Sequence, residues 1–110
     1  MTFTVDERGD SVAIVRGTGR LNMVTGPELR DVVSRVVASG RNRVVADLSQ
    51  IELMDSSGLG ALIGCLKTAR ENGGDLRIAG VRDELLMVLR LSTVDRILKP
   101  YDDPETAFDA

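Results

Sequence analysis

An α/β domain with parallel strand pairs is what this sequence predicts, and three observations carry the prediction. Short runs rich in β-branched residues mark strands: Val12 to Val15 is apolar at successive positions, as in a strand covered on both faces, and Val44 to Leu48 is a short apolar run interrupted by Asp47. Between such runs lie longer stretches whose apolar residues return at helical spacing. Strands alternating with helices make a layered α/β structure, and 110 residues with 43% hydrophobic content suit one globular domain, 1–110. Only Phe3, Tyr101 and Phe108 are aromatic, so Val, Leu, Ile and Met must build the core.

In chain order, Thr2 to Asp6 is expected to form a short strand, Arg8-Gly9-Asp10 a turn, and Ser11 to Arg16 a second strand. Gly17 to Gly26 reads as a loop. A first helix is expected near Pro27, where Thr25-Gly-Pro-Glu28 has the form of a capping box and proline suits the first turn. Leu29, Val32, Val33, Val36 and Val37 make its buried stripe, and Gly40 is its expected stop. Val44 to Leu48 is the expected central strand. A second helix follows Asp55-Ser-Ser-Gly, with Leu59, Leu62, Ile63, Leu66 and Ala69 on one face and Asn72-Gly-Gly at its end. Leu76 to Ala79 is the next strand, Asp83 to Leu91 a third helix, Ile97 to Pro100 an edge strand, and Pro104 to Phe108 a helical turn.

Several classes of function are disfavoured by composition. A net charge of -3 with scattered basic residues suits no phosphate backbone, so direct nucleic-acid binding is not expected. No apolar run approaches the roughly 20 residues of a membrane span, and Met1 to Asp10 lacks the pattern of a signal peptide, so a cytoplasmic protein without membrane attachment is expected. Cys65 is the one cysteine and there is no histidine, which rules out an internal disulfide and a zinc site of the usual kind. Without histidine no ordinary base can activate a serine, and Gly58-Leu-Gly60 is too short for a nucleotide fingerprint. Neither enzyme activity nor a cofactor is therefore expected.

The informative stretch runs from Asp47 to Ile63 and places a polar cluster where a loop enters a helix. The first N–H groups of a helix lack internal partners, and Asp55, Ser56 or Ser57 can cap them. The aligned peptide dipoles favour negative charge there, so a phosphate on Ser56 or Ser57 would be well placed. Taken alone, Asp-Ser-Ser before an amphipathic helix is the signature of an ordinary N-cap.

The longer pattern says more. Met54-Asp-Ser-Ser-Gly-Leu-Gly60, followed by Ala61-Leu-Ile63, resembles the signature of the STAS family, the domain of bacterial anti-sigma factor antagonists and of sulfate transporter tails. Gly19-Arg-Leu-Asn22, with Thr25 three residues on, is similar to the family's Gly-x-Leu-Asp loop, with Asn in place of Asp. The resemblance implies a mixed four- to five-stranded sheet packed with about four helices. It implies an antagonist that binds an anti-sigma factor when unphosphorylated and so frees a sigma factor. The partner would be a serine kinase of histidine-kinase-like ATPase type that phosphorylates Ser56 and ends binding, and a phosphatase would restore the antagonist. Asn22, Thr25, Asp55, Ser56, Ser57 and Gly58 would lie at the partner surface, and stress response and sporulation are both compatible settings. The alternative within the same fold is a non-switching scaffold or an accessory domain of a transporter or signalling complex.

Four other features have a chemistry of their own. Gly60 and Gly64, four apart on the second helix, suit either a flat partner face or close packing within the domain. Cys65 reads as a small buried residue. Met87, Leu89 and Leu91 oversupply the third helix with apolar surface, which suggests core burial, with any exposed remnant pointing to self-association or docking. Ser92 and Thr93 read as capping or turn residues.

Overall fold

Alternation of side chains along the three central strands explains both the apolar runs and the layers of the molecule. In a computed structural model, which describes residues 2–109, the strands are β1 (Phe3–Arg8), β2 (Val12–Gly17), β3 (Gly19–Leu21), β4 (Arg43–Asp47), β5 (Ile51–Met54), β6 (Asp75–Ala79) and β7 (Pro100–Tyr101). The helices are α1 (Thr25–Ala38), α2 (Ser56–Glu71) and α3 (Asp83–Leu91), with a 3₁₀ turn at Val94–Arg96. Five strands form one sheet in the order β1-β2-β4-β6-β7, with β1 antiparallel to β2 and the other pairs parallel. The remaining two, β3 and β5, pair in parallel as a separate two-stranded unit.

One face of the five-stranded sheet carries the main core. Val15, Val44, Ala46, Leu76 and Ile78 point into it and meet Leu29, Val33 and Val37 of α1, Leu62, Leu66 and Ala69 of α2, and Leu85 and Leu89 of α3. The alternate residues Ile14, Val45 and Ala79 point to the other face, where Ala107 covers them with Val12, Tyr101 and Phe108 at the margin. Residues 100–108 thus form a strap over the back of the sheet. Arg77 reaches back from β6 and stacks between the rings of Tyr101 and Phe108, 5.1 and 4.6 Å from their centroids, while its guanidinium donates to the Ala107 carbonyl at 2.7 Å. Arg8 grips Glu105 of the strap through two hydrogen bonds of 2.7 and 2.8 Å, and Arg16 bridges Asp6 and the buried Asp47 beside it.

The helix faces, the stop at Gly40 and the bounds of α3 agree with the sequence reading. Four local expectations are corrected. Gly17 to Gly26 is not all loop, because Gly19–Leu21 is drawn into a strand by its partner β5. The capping box at Thr25 does not form. The helix begins at Thr25, two residues before Pro27, and the Asn22 side chain accepts from the Val24 and Thr25 amides at 2.9 and 3.1 Å, while the Thr25 hydroxyl donates to the Arg20 carbonyl at 2.7 Å. Only Pro100–Tyr101 pairs with β6 at the edge, since Val94 to Leu98 is held in a tight helical turn by the Leu98 amide donating to the Val94 carbonyl. Residues 104–109 make turns and no helix; the described residues contain three α-helices and one 3₁₀ turn, in keeping with the expected sheet of four to five strands packed with about four helices.

Candidate functional site

Parallel pairing of β3 with β5 brings two separate stretches of sequence to one end of the molecule. Leu21 stands opposite Met54, so the residues that follow each strand, Asn22 to Thr25 and Asp55 to Ser57, leave side by side. The Asp55 amide donates to the Leu21 carbonyl at 3.3 Å and ties the two exits together. Gly58 makes this approach possible. A Cβ there would stand 2.2 Å from the Leu21 carbonyl oxygen, so any side chain would push α2 off β3.

Asp55 is the N-cap of α2. Its backbone is extended and its carboxylate accepts from the Gly58 amide at 2.9 Å. Ser56 is the first residue of the helix, and both Ser56 and Ser57 are exposed. A hydroxyl at that position stands in the positive end field of a sixteen-residue helix and in open solvent. Across from it, Asn22 organises the opposing loop by accepting from two amides of the first turn of α1. An aspartate would accept the same two bonds, so the loop geometry survives its replacement by asparagine while one negative charge is lost.

The family model described as the STAS domain matches residues 4–107. The chain belongs to the STAS family. Within that family it is related to anti-sigma factor antagonists. It is 35% identical over 71 residues to the anti-sigma-B factor antagonist of Staphylococcus aureus, a match that covers 64% of this chain and 66% of that relative, just short of two thirds of its length. A candidate anti-sigma factor antagonist from Thermotoga maritima superimposes with a TM-score of 0.87 at 28% identity, covering 97% of this chain and 92% of that one. An anti-sigma factor antagonist from Mycobacterium paratuberculosis does so with a TM-score of 0.84 at 25% identity, covering 98% and 91%.

All six residues expected at a partner surface on this STAS domain fall at the one end, but they do not all present themselves. Asp55, Ser56 and Ser57 are exposed. Asn22 is half-buried, Thr25 has its hydroxyl committed to the Arg20 carbonyl, and Gly58 is buried beneath Leu21. The last two therefore shape the site more than they display chemistry.

Four residues escaped the sequence reading. Met23, Val24 and Leu53 are 74%, 69% and 57% exposed. Met23 and Val24 follow β3 and Leu53 lies near the end of β5, so the parallel pairing sets them as an apolar collar at the two loop exits, Met23 lining a depression with Ser57 and Leu53 one with Asp55. Large apolar side chains exposed together mark a docking surface rather than a solvated one. Their signal in the sequence was Met-Val directly after Leu21-Asn22, an apolar pair in a stretch read as loop. Arg30 also went unremarked. Its guanidinium lies over Gly64, where a Cβ would come within 2.9 Å of it, beside a depression of about 320 Å³ lined by Met23, Pro27, Ser57 and Gly60. The two glycines thus part company: Gly64 makes room for Arg30, whereas Gly60 faces open space, with nothing within 4 Å of a built Cβ.

Cys65 lies on the inner side of α2, with burial pushing its thiol up to about 12 against the opposing pull of Arg30. No group of acidic or sulfur side chains among the described residues is arranged to hold a metal ion, and no helix among them is long and apolar enough to cross a membrane.

Proposed function

We propose that this protein is an anti-sigma factor antagonist switched at Ser56. Unphosphorylated, it docks an anti-sigma factor kinase of histidine-kinase-like ATPase type against the Asn22 and Asp55–Ser57 loops, and a sigma factor is released. Phosphorylation of Ser56 by that kinase ends docking, and a phosphatase reverses it. The observation that carries this reading is an exposed serine hydroxyl at the first residue of α2, flanked by the helix-capping aspartate and an apolar collar. Resemblance to the antagonists of S. aureus, T. maritima and M. paratuberculosis supports it.

The physics of such a switch is local. Phosphoserine adds about -1.5 to -2 charges at neutral pH, and the helix end accommodates them without refolding. In a complex the same charge would be enclosed beside Asp55 among Met23, Val24 and Leu53. Like-charge contact and desolvation at an interface cost several kcal/mol, and about 3 kcal/mol weakens binding more than a hundredfold. Titration calorimetry of the cognate kinase with unmodified and enzymatically phosphorylated protein tests this. The expected result is a loss of at least a hundredfold on phosphorylation, with Ser56→Ala binding as the unmodified protein and taking up no phosphate. Equal affinity of the two forms, or phosphate carried elsewhere than Ser56, would leave the non-switching scaffold as the better reading.

A further inference from the structure

The third helix has an apolar stripe that the core does not use. Leu85 and Leu89 are buried, at 3% and 0% exposure, and account for the packing of α3 on the sheet. On the opposite side Met87, Val88 and Leu91 are 63%, 41% and 80% exposed, and Ile97, in the turn that packs against α3, is 49% exposed. Together these leave more than two whole residues' worth of apolar surface in water on one short helix and the turn after it. None of the four belongs to the Ser56 site, so that site does not explain them.

Charge on the same helix indicates what covers the stripe. Asp83 and Glu84 stand exposed in its first turn and Arg90 stands exposed in its last. A helix acidic at one end and basic at the other is complementary to a copy of itself laid antiparallel. That arrangement puts Asp83 of each copy, which shares a flank of the helix with Arg90, against Arg90 of the other and presses Met87, Val88 and Leu91 against their counterparts. It is the isologous pairing that a two-fold axis near Met87 produces, with each contact made twice. The helix dipoles then also run in opposition, which favours antiparallel over parallel contact.

We propose that α3 is a self-association face through which two copies of this chain pair antiparallel. A nine-residue helix with its following turn offers less than the ~800 Å² per partner of a standard interface, so the dimer is weak, with a dissociation constant on the order of 10–100 µM. The pairing leaves Ser56 and its collar free, so a dimer presents two separate docking ends.

Sedimentation velocity of the full chain across 5–500 µM, a span set around that affinity, tests the proposal. The expected result is a mass that climbs from 11.9 kDa toward twice that value. Leu91→Glu and Arg90→Glu should each weaken association at least tenfold. Both positions are exposed, and unchanged circular dichroism and melting will show that the variants are folded. The decisive arm mixes Arg90→Glu protein with the double variant Asp83→Arg/Glu84→Arg. Each should be more monomeric than wild type alone, and the mixture should regain a heterodimer. A wild type that stays monomeric throughout, a Leu91→Glu variant that associates as wild type does, or a mixture no better than its components would overturn the antiparallel α3 pairing. None of these outcomes bears on the Ser56 reading, which is read by kinase binding.

Discussion

Replacing Gly58 by alanine should damage this protein although alanine is the better helix former. In an unobstructed helix the exchange stabilises by up to about 1 kcal/mol. Here a Cβ would meet the Leu21 carbonyl oxygen at 2.2 Å, its carbon at 2.7 Å and the Leu21 Cγ at 3.0 Å. Ordinary contact begins near 3.4 Å, so α2 and β3 would have to part by about 1 Å. The obstacle is backbone, which cannot rotate aside as a side-chain tip can. Forced separation of packed elements costs typically 1–3 kcal/mol. The Asp55 amide bond to Leu21, already 3.3 Å long, would be lost as well, at about 1 kcal/mol. Set against the propensity gain, a net loss of about 1–3 kcal/mol is expected. Urea unfolding followed by far-ultraviolet circular dichroism measures it as a lower midpoint at unchanged slope. Gly60→Ala is the matched control on the same helix. With nothing near its Cβ, it should gain about 0.5–1 kcal/mol. A Gly58→Ala variant as stable as wild type would refute the close approach on which the whole site geometry rests. Because Ser56 moves with α2, the same variant should also bind the partner less well, whereas Gly60→Ala should do so only if the partner reaches into the depression beside Ser57.

Three further outcomes follow from the local chemistry. Asp55→Ala removes the acceptor of the Gly58 amide and should cost about 1 kcal/mol in the same assay, with Asp55→Asn keeping most of it. Cys65 should be silent to thiol reagents at pH 8 in the folded protein and react at once in denaturant, because burial holds its thiol protonated up to about 12; rapid labelling of the native state would show that α2 opens locally. The Glu105 carboxyl should titrate below the usual glutamate range in a carbon-detected NMR titration, chiefly through its hydrogen bond from Arg8, and return to that range in Arg8→Ala. A carboxyl whose folded value is depressed adds stability above its unfolded value and loses it as pH falls through the folded one, so tethering of the strap should weaken only in acid below the normal glutamate range.

What could be read from the sequence depended on how local the signal was. The faces of α1 and α2 and the bounds of α3 follow from helical spacing over nine or more residues, and neighbouring chain segments alter such patterns little. β3 and β5 were not legible. They have three and four residues, and each exists because the other is there, so no window of sequence contains the reason for either. The start of α1 was misread for a related cause: both Asn22 and Thr25 can cap, and the Arg20 carbonyl delivered by β3 claims the Thr25 hydroxyl and leaves the capping to Asn22. At the site, the exposure of Ser56 and the role of Asp55 follow from the rule that polar residues precede helices. The collar of Met23, Val24 and Leu53 does not, because Val24 and Leu53 are twenty-nine positions apart and are brought to one end of the molecule only through the parallel pairing.

The stacked strap on the back of the sheet decides which optical signals the protein can give. It has no tryptophan and one tyrosine, Tyr101, whose ring lies against the Arg77 guanidinium at 5.1 Å and the Lys99 ammonium at 5.7 Å. Intrinsic emission will therefore report whether residues 100–108 are seated, and will stay dark to events at the Ser56 end. A tryptophan installed at Leu53, already 57% exposed in the collar, would give that end a fluorophore of its own and let docking and strap release be followed as two separate colours of the same molecule.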